Sequence, residues 1–205
     1  MRALAHGFSI IELMITLVVL GILIALGAPS FSEWLQNQQI RAAADATLNG
    51  VQVARGEAVA RNTNVSFQFV GDLSAACLHA AVGPGGYLSS TSWVVSVGDP
   101  SGACDKRIND TPAGPVIQSR SGAEVTPNAV VTTVPDGAST VTFTPLGATT
   151  SNPDGSPALQ SMTLSNLTQP IGSTSARPLR IVINPGGSTR MCDPLAVAPD
   201  TRACP

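Results

Sequence analysis

The stretch MRALAHGFSIIELMITLVVLGILIALGAPS, residues 1–30, decides how this chain folds. A leader that ends at Gly7 is followed by a largely apolar run from Phe8 to Ala28, and the one carboxylate in that run is Glu12. A helix rises about 1.5 Å per residue, so the run is about 30 Å long and matches the apolar thickness of a membrane. An ionised Glu in that layer costs on the order of 2–3 kcal/mol unless it is paired. Glu12 is therefore predicted to have a function.

Two general interpretations of this segment fit poorly. A secretory signal peptide has a shorter apolar core and a small-residue cleavage site, for which residues 25–28 would serve. Against this, the apolar run is long, Glu12 lies inside it, and Pro29 would directly follow the cut. A plain membrane anchor leaves Glu12 without an explanation.

The stretch GFSIIELMITLVVLGILIALGAPSF, residues 7–31, resembles the N-terminal signature of type IV pilins and of the pseudopilins of type II secretion. The resemblance implies that a prepilin peptidase cuts after Gly7 on the cytoplasmic side and methylates the new N-terminus at Phe8. Glu12 then becomes the fifth residue of the processed chain and takes the family's role in assembly. Pro29 falls where many members have a helix-kinking proline.

Processing would create a cationic amine at Phe8 within an apolar surface, and a carboxylate is its natural partner. Phe8 and Glu12 stand one helical turn apart, so a pair within one chain is the simpler interpretation. The resemblance implies in addition that Glu12 meets the Phe8 amine of a neighbouring subunit and sets the register of a filament.

The few charges near the apolar run predict its orientation. Arg2 precedes the run, and the next Lys or Arg is Arg41, well beyond it. Basic residues that flank a membrane span tend to stay on the cytoplasmic side, which favours a cytoplasmic leader and an exported remainder.

Cysteine usage agrees with export, because an oxidising compartment permits disulfides. All four cysteines follow the apolar run: Cys77, Cys104, Cys192 and Cys204. Four cysteines allow three connectivities, of which we favour the local pairs Cys77–Cys104 and Cys192–Cys204. The spacing does not resemble a zinc site, because the chain has no CxxC and His79 is the only histidine outside the leader.

One helix is predicted from Phe8 to about Arg61, bent near Pro29, because proline removes a backbone donor and clashes with the preceding turn. Its second half carries an apolar stripe at helical spacing. The stripe consists of Ile40, Ala44, Leu48, Val51, Ala54 and Ala58.

After residue 62 the sequence becomes rich in Gly, Pro, Ser and Thr, and β-branched runs replace the helical spacing. Strands are predicted at residues 65–70, 92–97, 129–134, 139–144, 161–167 and 178–184. In the first, Ser66 and Gln68 alternate with apolar residues, which predicts a half-buried strand. The fold class is α+β, a long N-terminal helix packed on an antiparallel β-sheet domain. The predicted parts are a leader (1–7), a transmembrane and assembly helix (8–28), the periplasmic half of the helix (29–62) and a β-rich domain (63–205).

Three stretches of the β-domain resemble the GspH/FimT family of minor pilins and pseudopilins: SWVVSV at 92–97, VTFTPLG at 141–147 and PLRIVINPGGSTRMCDP at 178–194. The tail CDPLAVAPDTRACP, residues 192–205, resembles the disulfide-closed tail of FimU/FimT-like minor pilins. The resemblance implies the pilin fold and a minor pilin that primes a type IV pilus and sits at or near its tip. The implied partners are other major and minor pilins, the prepilin peptidase and an inner-membrane assembly platform. The implied location is the inner membrane, crossed once with the domain in the periplasm, and then the filament.

Two other functions belong to the same resemblance. One is a GspH-like minor pseudopilin of type II secretion. The other is DNA binding during natural transformation, which some members perform through a basic motif, roughly Gly-Arg-x-Arg. Residues 187–190 here read Gly-Ser-Thr-Arg, so Ser188 replaces the first arginine and Arg190 and Arg180 are the candidate contacts. A net charge of −2 disfavours this function, because affinity for DNA rests on a basic face.

Catalysis has little support in the sequence. A Ser-His-Asp arrangement could use only His79, because His6 leaves with the leader. His79 follows a short apolar patch, which favours a structural role. We expect no enzymatic activity, no cofactor and no metal.

Overall fold

The structure, a computed structural model, describes residues 9–122, 128–167 and 177–204, and within residues 27–30 it describes no side chains. Gly7 and Phe8, the predicted cleavage and methylation positions, lie outside the described residues. The chain divides into two units, Met1–Leu35 and Gln36–Pro205.

Helix α1 extends over Ile10–Arg61 and thus contributes to both units. It ends at Asn62, whose φ of 51° is left-handed. The Asn62 N–H donates to the Val59 carbonyl and the Thr63 N–H to the Ala58 carbonyl, both at 3.3 Å. This pattern is a Schellman cap, and asparagine is one of the few residues besides glycine that tolerates its left-handed position.

Nine strands follow in the described part of the chain. They are β1 Val65–Phe69, β2 Trp93–Val97, β3 Val116–Arg120, β4 Ala129–Val134, β5 Thr140–Phe143, β6 Thr149–Thr150, β7 Ser161–Asn166, β8 Leu179–Ile183 and β9 Thr189–Cys192. The first sheet has the order β3-β2-β1-β5-β6 and the second the order β4-β7-β8-β9. All strand pairs in both sheets are antiparallel.

The structure confirms the α+β fold class and the six predicted strands, which correspond to β1, β2, β4, β5, β7 and β8. Three strands were not predicted, namely β3, β6 and β9. β6 is two residues long, and β3 and β9 are edge strands that carry polar side chains, so none of them has a clear apolar alternation.

The expectation that β1 is half-buried is wrong, because all five of its residues are buried. Ser66 is 5% exposed and Gln68 3% exposed, although both side chains lie on the face of the first sheet that points away from the core. The segments around Asp99 and Asp154 approach this face and line a cavity together with Ser66 and Gln68.

The core lies between the second half of α1 and the two sheets. The predicted helix stripe is confirmed: Ile40, Ala44, Val51, Ala54 and Ala58 are fully buried, and Leu48 is partly buried against the same cluster. The strands contribute the largest buried side chains, among them Phe67, Phe69, Trp93 and Phe143.

Gly50 brings α1 close to the first sheet. A Cβ at this position would lie 2.9 Å from the Phe67 ring and 3.0 Å from the Trp93 indole. The two rings lie 5.6 Å apart between centroids, so they form one aromatic layer under the helix. Glycine at position 50 is therefore explained by packing rather than by helix propensity, which disfavours it.

We predict that Gly50→Ala and Gly56→Ala change stability in opposite directions. At Gly56 no atom lies within 4 Å of an added Cβ, so alanine should raise the free energy of unfolding by up to about 1 kcal/mol through helix propensity. At Gly50 overpacking costs about 1–3 kcal/mol and should outweigh that gain. The measurement is urea unfolding of the full chain in detergent, followed by Trp93 fluorescence in a Trp34→Phe background. Equal stabilisation by both substitutions would contradict the packing role of Gly50.

Candidate functional site: apolar helix and closed tail

The first turns of α1 expose apolar side chains in every direction. The exposed fractions in this segment range from 49% at Val19 to 82% at Ile10, with Leu26 at 74%. A helix that is apolar all round requires an apolar environment, either lipid or other helices. By length and composition alone, no single straight helix among the described residues qualifies as a membrane span. Two parts of α1, Ile10–Leu26 and Phe31–Arg61, qualify when they are taken together as a bent pair.

Glu12 lies in the first turn of α1, within this apolar surface. A carboxylate at this position interacts favourably with the helix dipole. Its pairing with the Phe8 amine stays a prediction, because Phe8 is not among the described residues. The bend at Pro29 also stays a prediction.

The cysteines form the two local pairs that we favoured from the sequence. Cys77 and Cys104 are joined with their Cα atoms 5.2 Å apart, and Cys192 and Cys204 with theirs 5.1 Å apart. The first disulfide belongs to a small second apolar cluster with Val70 and Val94. It therefore ties the segment after β1 to the segment after β2.

The second disulfide closes the C-terminal tail onto β9, and Arg190 adds a second attachment. Its Nη2 donates to the backbone oxygens of Thr201 at 3.0 Å and of Ala203 at 3.2 Å. The Asp193 N–H donates to the Arg202 carbonyl at 2.8 Å. The tail is therefore a folded part of the second sheet's edge.

The two arginines that sequence reasoning connected with DNA are used in internal contacts. Arg190 holds the tail, and Arg180 donates from Nε to Thr163 Oγ1 at 3.0 Å. A depression of about 570 Å³ brings Arg190 together with Arg41, Arg177 and Arg202 but does not include Arg180. Sequence reasoning missed Arg41, because it lies on α1 and is remote in sequence from the others.

His79, expected to be structural, is held by polar partners from two other segments. Its Nδ1 shares a hydrogen bond with Ser139 Oγ at 2.9 Å, and its Nε2 lies 3.4 Å from Asp154 Oδ2. Ser139 is only 5% exposed, so its hydroxyl orients the imidazole and is not accessible as a nucleophile. Sequence spacing gave no signal for this cluster, because its members are far apart along the chain.

A long helix that is apolar at its start and packs further on against an antiparallel two-sheet domain defines the class of pilin-like proteins. The family model of the type II transport protein GspH matches residues 43–187, and the model of the prokaryotic N-terminal methylation motif matches residues 2–28. The first match spans more than half of the chain, and the chain therefore belongs to the GspH family. The methylation motif implies a membrane-anchored pilin with a globular domain that a prepilin peptidase processes and that assembles with other pilins.

Two solved structures are similar to this chain. Both are crystal structures of the type IV minor pilin FimU of Pseudomonas aeruginosa strain PAO1, in space groups P65 and P21. Each is 16% identical in sequence, with TM-scores of 0.43 and 0.47, and they cover 76% and 80% of this chain and 98% of their own. A comparison with curated proteins finds no match.

The tail contains an ion pair that a pH titration can test. Hydrogen bonds from the Arg202 side chain and backbone N–H lower the pKa of Asp200 from 3.8 to about 2. Because the pKa of Asp200 is lower in the folded chain, its pairing with Arg202 stabilises the fold fully above pH 3.8. This contribution to the free energy of unfolding is lost as the pH falls through about 2. We predict that Arg202→Gln raises the pKa of Asp200 towards 3.8. The measurement is an NMR titration of the Asp200 carboxyl carbon in the full chain.

Asp72 provides an internal control for that titration. Its pKa is lowered by hydrogen bonds from the Ser74 hydroxyl and backbone N–H, so it should not respond to the Arg202 substitution. An unchanged Asp200 titration, or equal shifts at both carboxyls, would contradict the pairing of Asp200 with Arg202.

Proposed function

We propose that this chain is a minor pilin of a type IV pilus that helps to prime assembly and sits at or near the tip of the filament. The observation that carries the proposal is the exposed apolar segment of α1 with Glu12 in its first turn, which lies within the match to the methylation motif. The β-rich domain supplies the surface for contacts with other pilins. In this proposal the inner membrane is crossed once, and the domain lies in the periplasm before assembly.

The apolar segment gives assembly a favourable path. Lipid and the helical core of a filament are both apolar surroundings, so extraction of the helix exchanges one for the other without exposure of its side chains to water. The net hydrophobic cost of the transfer is therefore small. Assembly then depends on the few polar groups that must be paired in either surrounding.

Glu12 is the group that makes the transfer specific. An unpaired carboxylate among apolar helices is costly, and the methylated amine at Phe8 of a neighbouring subunit would neutralise it. Because the pair forms only at one axial offset between two helices, it sets the register. A pair within one chain would neutralise the charge but would not select an offset.

The disulfide-closed tail supports a place in the pilus rather than in the secretion pseudopilus. Such a tail resembles that of pilus minor pilins, and here Cys192–Cys204 and Arg190 fix it to β9. The GspH-like pseudopilin remains the alternative, and DNA binding is third, because Arg190 and Arg180 are engaged within the domain.

We predict that Glu12→Ala and the isosteric Glu12→Gln chains are inserted and processed normally but are poorly incorporated, by about tenfold or more. The loss of the pair leaves the neighbour's amine buried and unpaired, which costs about 3–5 kcal/mol. The measurement is the content of this chain in sheared filaments relative to membranes, by quantitative mass spectrometry. Glu57→Gln, which removes only the exposed pair with Arg61, is the matched control. Normal incorporation of the Glu12→Gln chain would contradict the role of Glu12 in setting the axial register between subunits.

A clean deletion strain distinguishes the filament systems. We expect loss of surface pili and of twitching with normal secretion of exported enzymes, because a priming subunit is needed to start the pilus. Both phenotypes are scored in the same cultures, with the wild-type gene restored as a control. Normal pili with lost secretion would assign the chain to the pseudopilus. If pili and secretion both persist, DNA uptake becomes the function to test, with Arg190 first.

A further inference from the structure

Two aromatic side chains are exposed together on α1 shortly after its apolar segment. Phe31 is 60% exposed and Trp34 55% exposed, and their rings stack with centroids 5.9 Å apart and planes inclined by 25°. Residues three apart lie on the same face of a helix, so the two rings form one contiguous apolar surface. A contiguous exposed surface of this kind marks an interaction site.

The position of the pair along α1 matches the boundary between the hydrocarbon and the headgroups of a bilayer. Counted from Ile10, the rise of a helix places Phe31 about 32 Å and Trp34 about 36 Å along α1. A bilayer has a hydrocarbon core of about 30 Å and a thickness of about 40–45 Å with its headgroups. If Ile10 lies at one boundary of the core, both rings fall within the opposite headgroup layer.

The sequence around the pair changes from apolar to polar at the same place. The segment up to Leu26 is apolar and exposed, whereas residues 36–39 read QNQQ. Trp, Tyr, Lys and Arg are the residues that anchor helices at a membrane surface. Between Arg2 and Arg41 the sequence has one residue of these four types, Trp34. The depth of the helix at this end therefore depends on the aromatic pair.

We infer that Phe31 and Trp34 bind the headgroup layer of a phospholipid bilayer and fix the depth of α1 before assembly. The stacked rings contact the upper part of the acyl chains, and Trp34 Nε1–H donates to a carbonyl or phosphate oxygen of a lipid. This inference rests on the proposed function, because that function requires α1 to cross the membrane once.

The chemistry of the pair favours lipid over a neighbouring helix as its partner. A contact between apolar helices needs only apolar side chains, such as those between Ile10 and Leu26. An indole combines an apolar ring with an N–H donor that requires an acceptor. The headgroup layer supplies both an apolar boundary and oxygen acceptors, whereas the backbone oxygens of a neighbouring helix are engaged in its own hydrogen bonds.

The direct test is depth-dependent quenching of Trp34 fluorescence, with the full chain in vesicles of phosphatidylethanolamine and phosphatidylglycerol in equal parts. The second tryptophan, Trp93, is buried in the domain, and its signal is measured alone in Trp34→Phe and subtracted. A nitroxide on the lipid headgroup is compared with a nitroxide near the end of the acyl chain and with iodide in the water. We expect the headgroup nitroxide to quench Trp34 severalfold more strongly than either of the others.

Two relocated tryptophans calibrate the depth. In a Trp34→Phe background, Leu26→Trp puts the indole in the apolar segment, and Gln38→Trp puts it one helical turn after position 34. Both positions are exposed, so neither substitution disturbs the core. We expect the acyl-chain nitroxide to quench the reporter at position 26 most strongly, and iodide to quench the reporter at position 38 most strongly.

Removal of the pair tests whether it fixes the depth of the helix. With the reporter at position 26, Phe31→Ala combined with Trp34→Ala should lower the ratio of acyl-chain to headgroup quenching severalfold, because the helix can then slide along the bilayer normal. The reference chain keeps Phe31 and carries Trp34→Phe. Leu35→Ala, which removes an exposed aliphatic side chain from the same helix, is the control and should leave the ratio unchanged.

Several results would overturn the inference. Strong iodide quenching of Trp34 with weak nitroxide quenching would put the pair in water and assign it to contacts between subunits. Strongest quenching by the acyl-chain nitroxide would put it in the hydrocarbon core. An unchanged ratio without the pair, or an equal change in Leu35→Ala, would exclude an anchor.

Failure of the membrane crossing itself gives a different result. In that case the acyl-chain nitroxide would not quench the reporter at position 26, which contradicts the proposed function as well as the anchor. Normal quenching at position 26 with no lipid quenching of Trp34 contradicts the anchor alone. The vesicles contain no filament, so these outcomes are also independent of the Glu12 and deletion experiments.

Discussion

The contact of Gly50 with Phe67 and Trp93 determines how the second half of α1 lies on the first sheet. The absence of a side chain at Gly50 lets the helix backbone approach the two rings, and the stripe from Ile40 to Ala58 is then buried on the same face. Each additional methylene at this contact would push the helix away from the sheet, and the aromatic layer would lose contacts along its whole length. The close approach therefore holds the largest apolar surfaces of the domain together.

The two sheets are joined at one end by paired turns next to α1. Arg55 Nε donates to the Gly147 carbonyl at 3.1 Å, and a Cβ at Gly187 would lie 1.7 Å from that same oxygen. The Thr149 N–H donates to the Pro185 carbonyl at 2.9 Å, so the turn after β5 and the turn after β8 are hydrogen-bonded. Glycine at 187, with φ of 77°, is required both by its backbone conformation and by this close approach. The helix and the two sheets thus meet at this junction as well as in the core.

Local patterns in the sequence were sufficient for the helix, its apolar stripe and the six strands with clear alternation, because periodicity is a property of neighbouring residues. The edge strand β3 was not predictable, because four of its five residues are only half-buried and its pairing with β2 contains a register shift. The burial of Ser66 and Gln68 depends on segments remote in sequence that cover the sheet. The cluster of His79 with Ser139 and Asp154 depends on the same tertiary arrangement. What the sequence could not predict is therefore what long-range packing creates.

The Cys77–Cys104 disulfide makes the outer face of the first sheet dependent on the redox conditions around the chain. Cys77 lies two residues before His79, and Cys104 follows the segment of Asp99, so the bond fastens two walls of the same cavity. Without the disulfide these walls are joined by a small apolar cluster and by a hydrogen bond from the Gly102 N–H to the Ala76 carbonyl at 3.2 Å, and the chain-entropy cost of holding them together falls on these weaker contacts. Formation of the disulfide then completes this surface. A chain with reduced cysteines thus lacks the finished outer face, which matures only once the two segments are covalently joined.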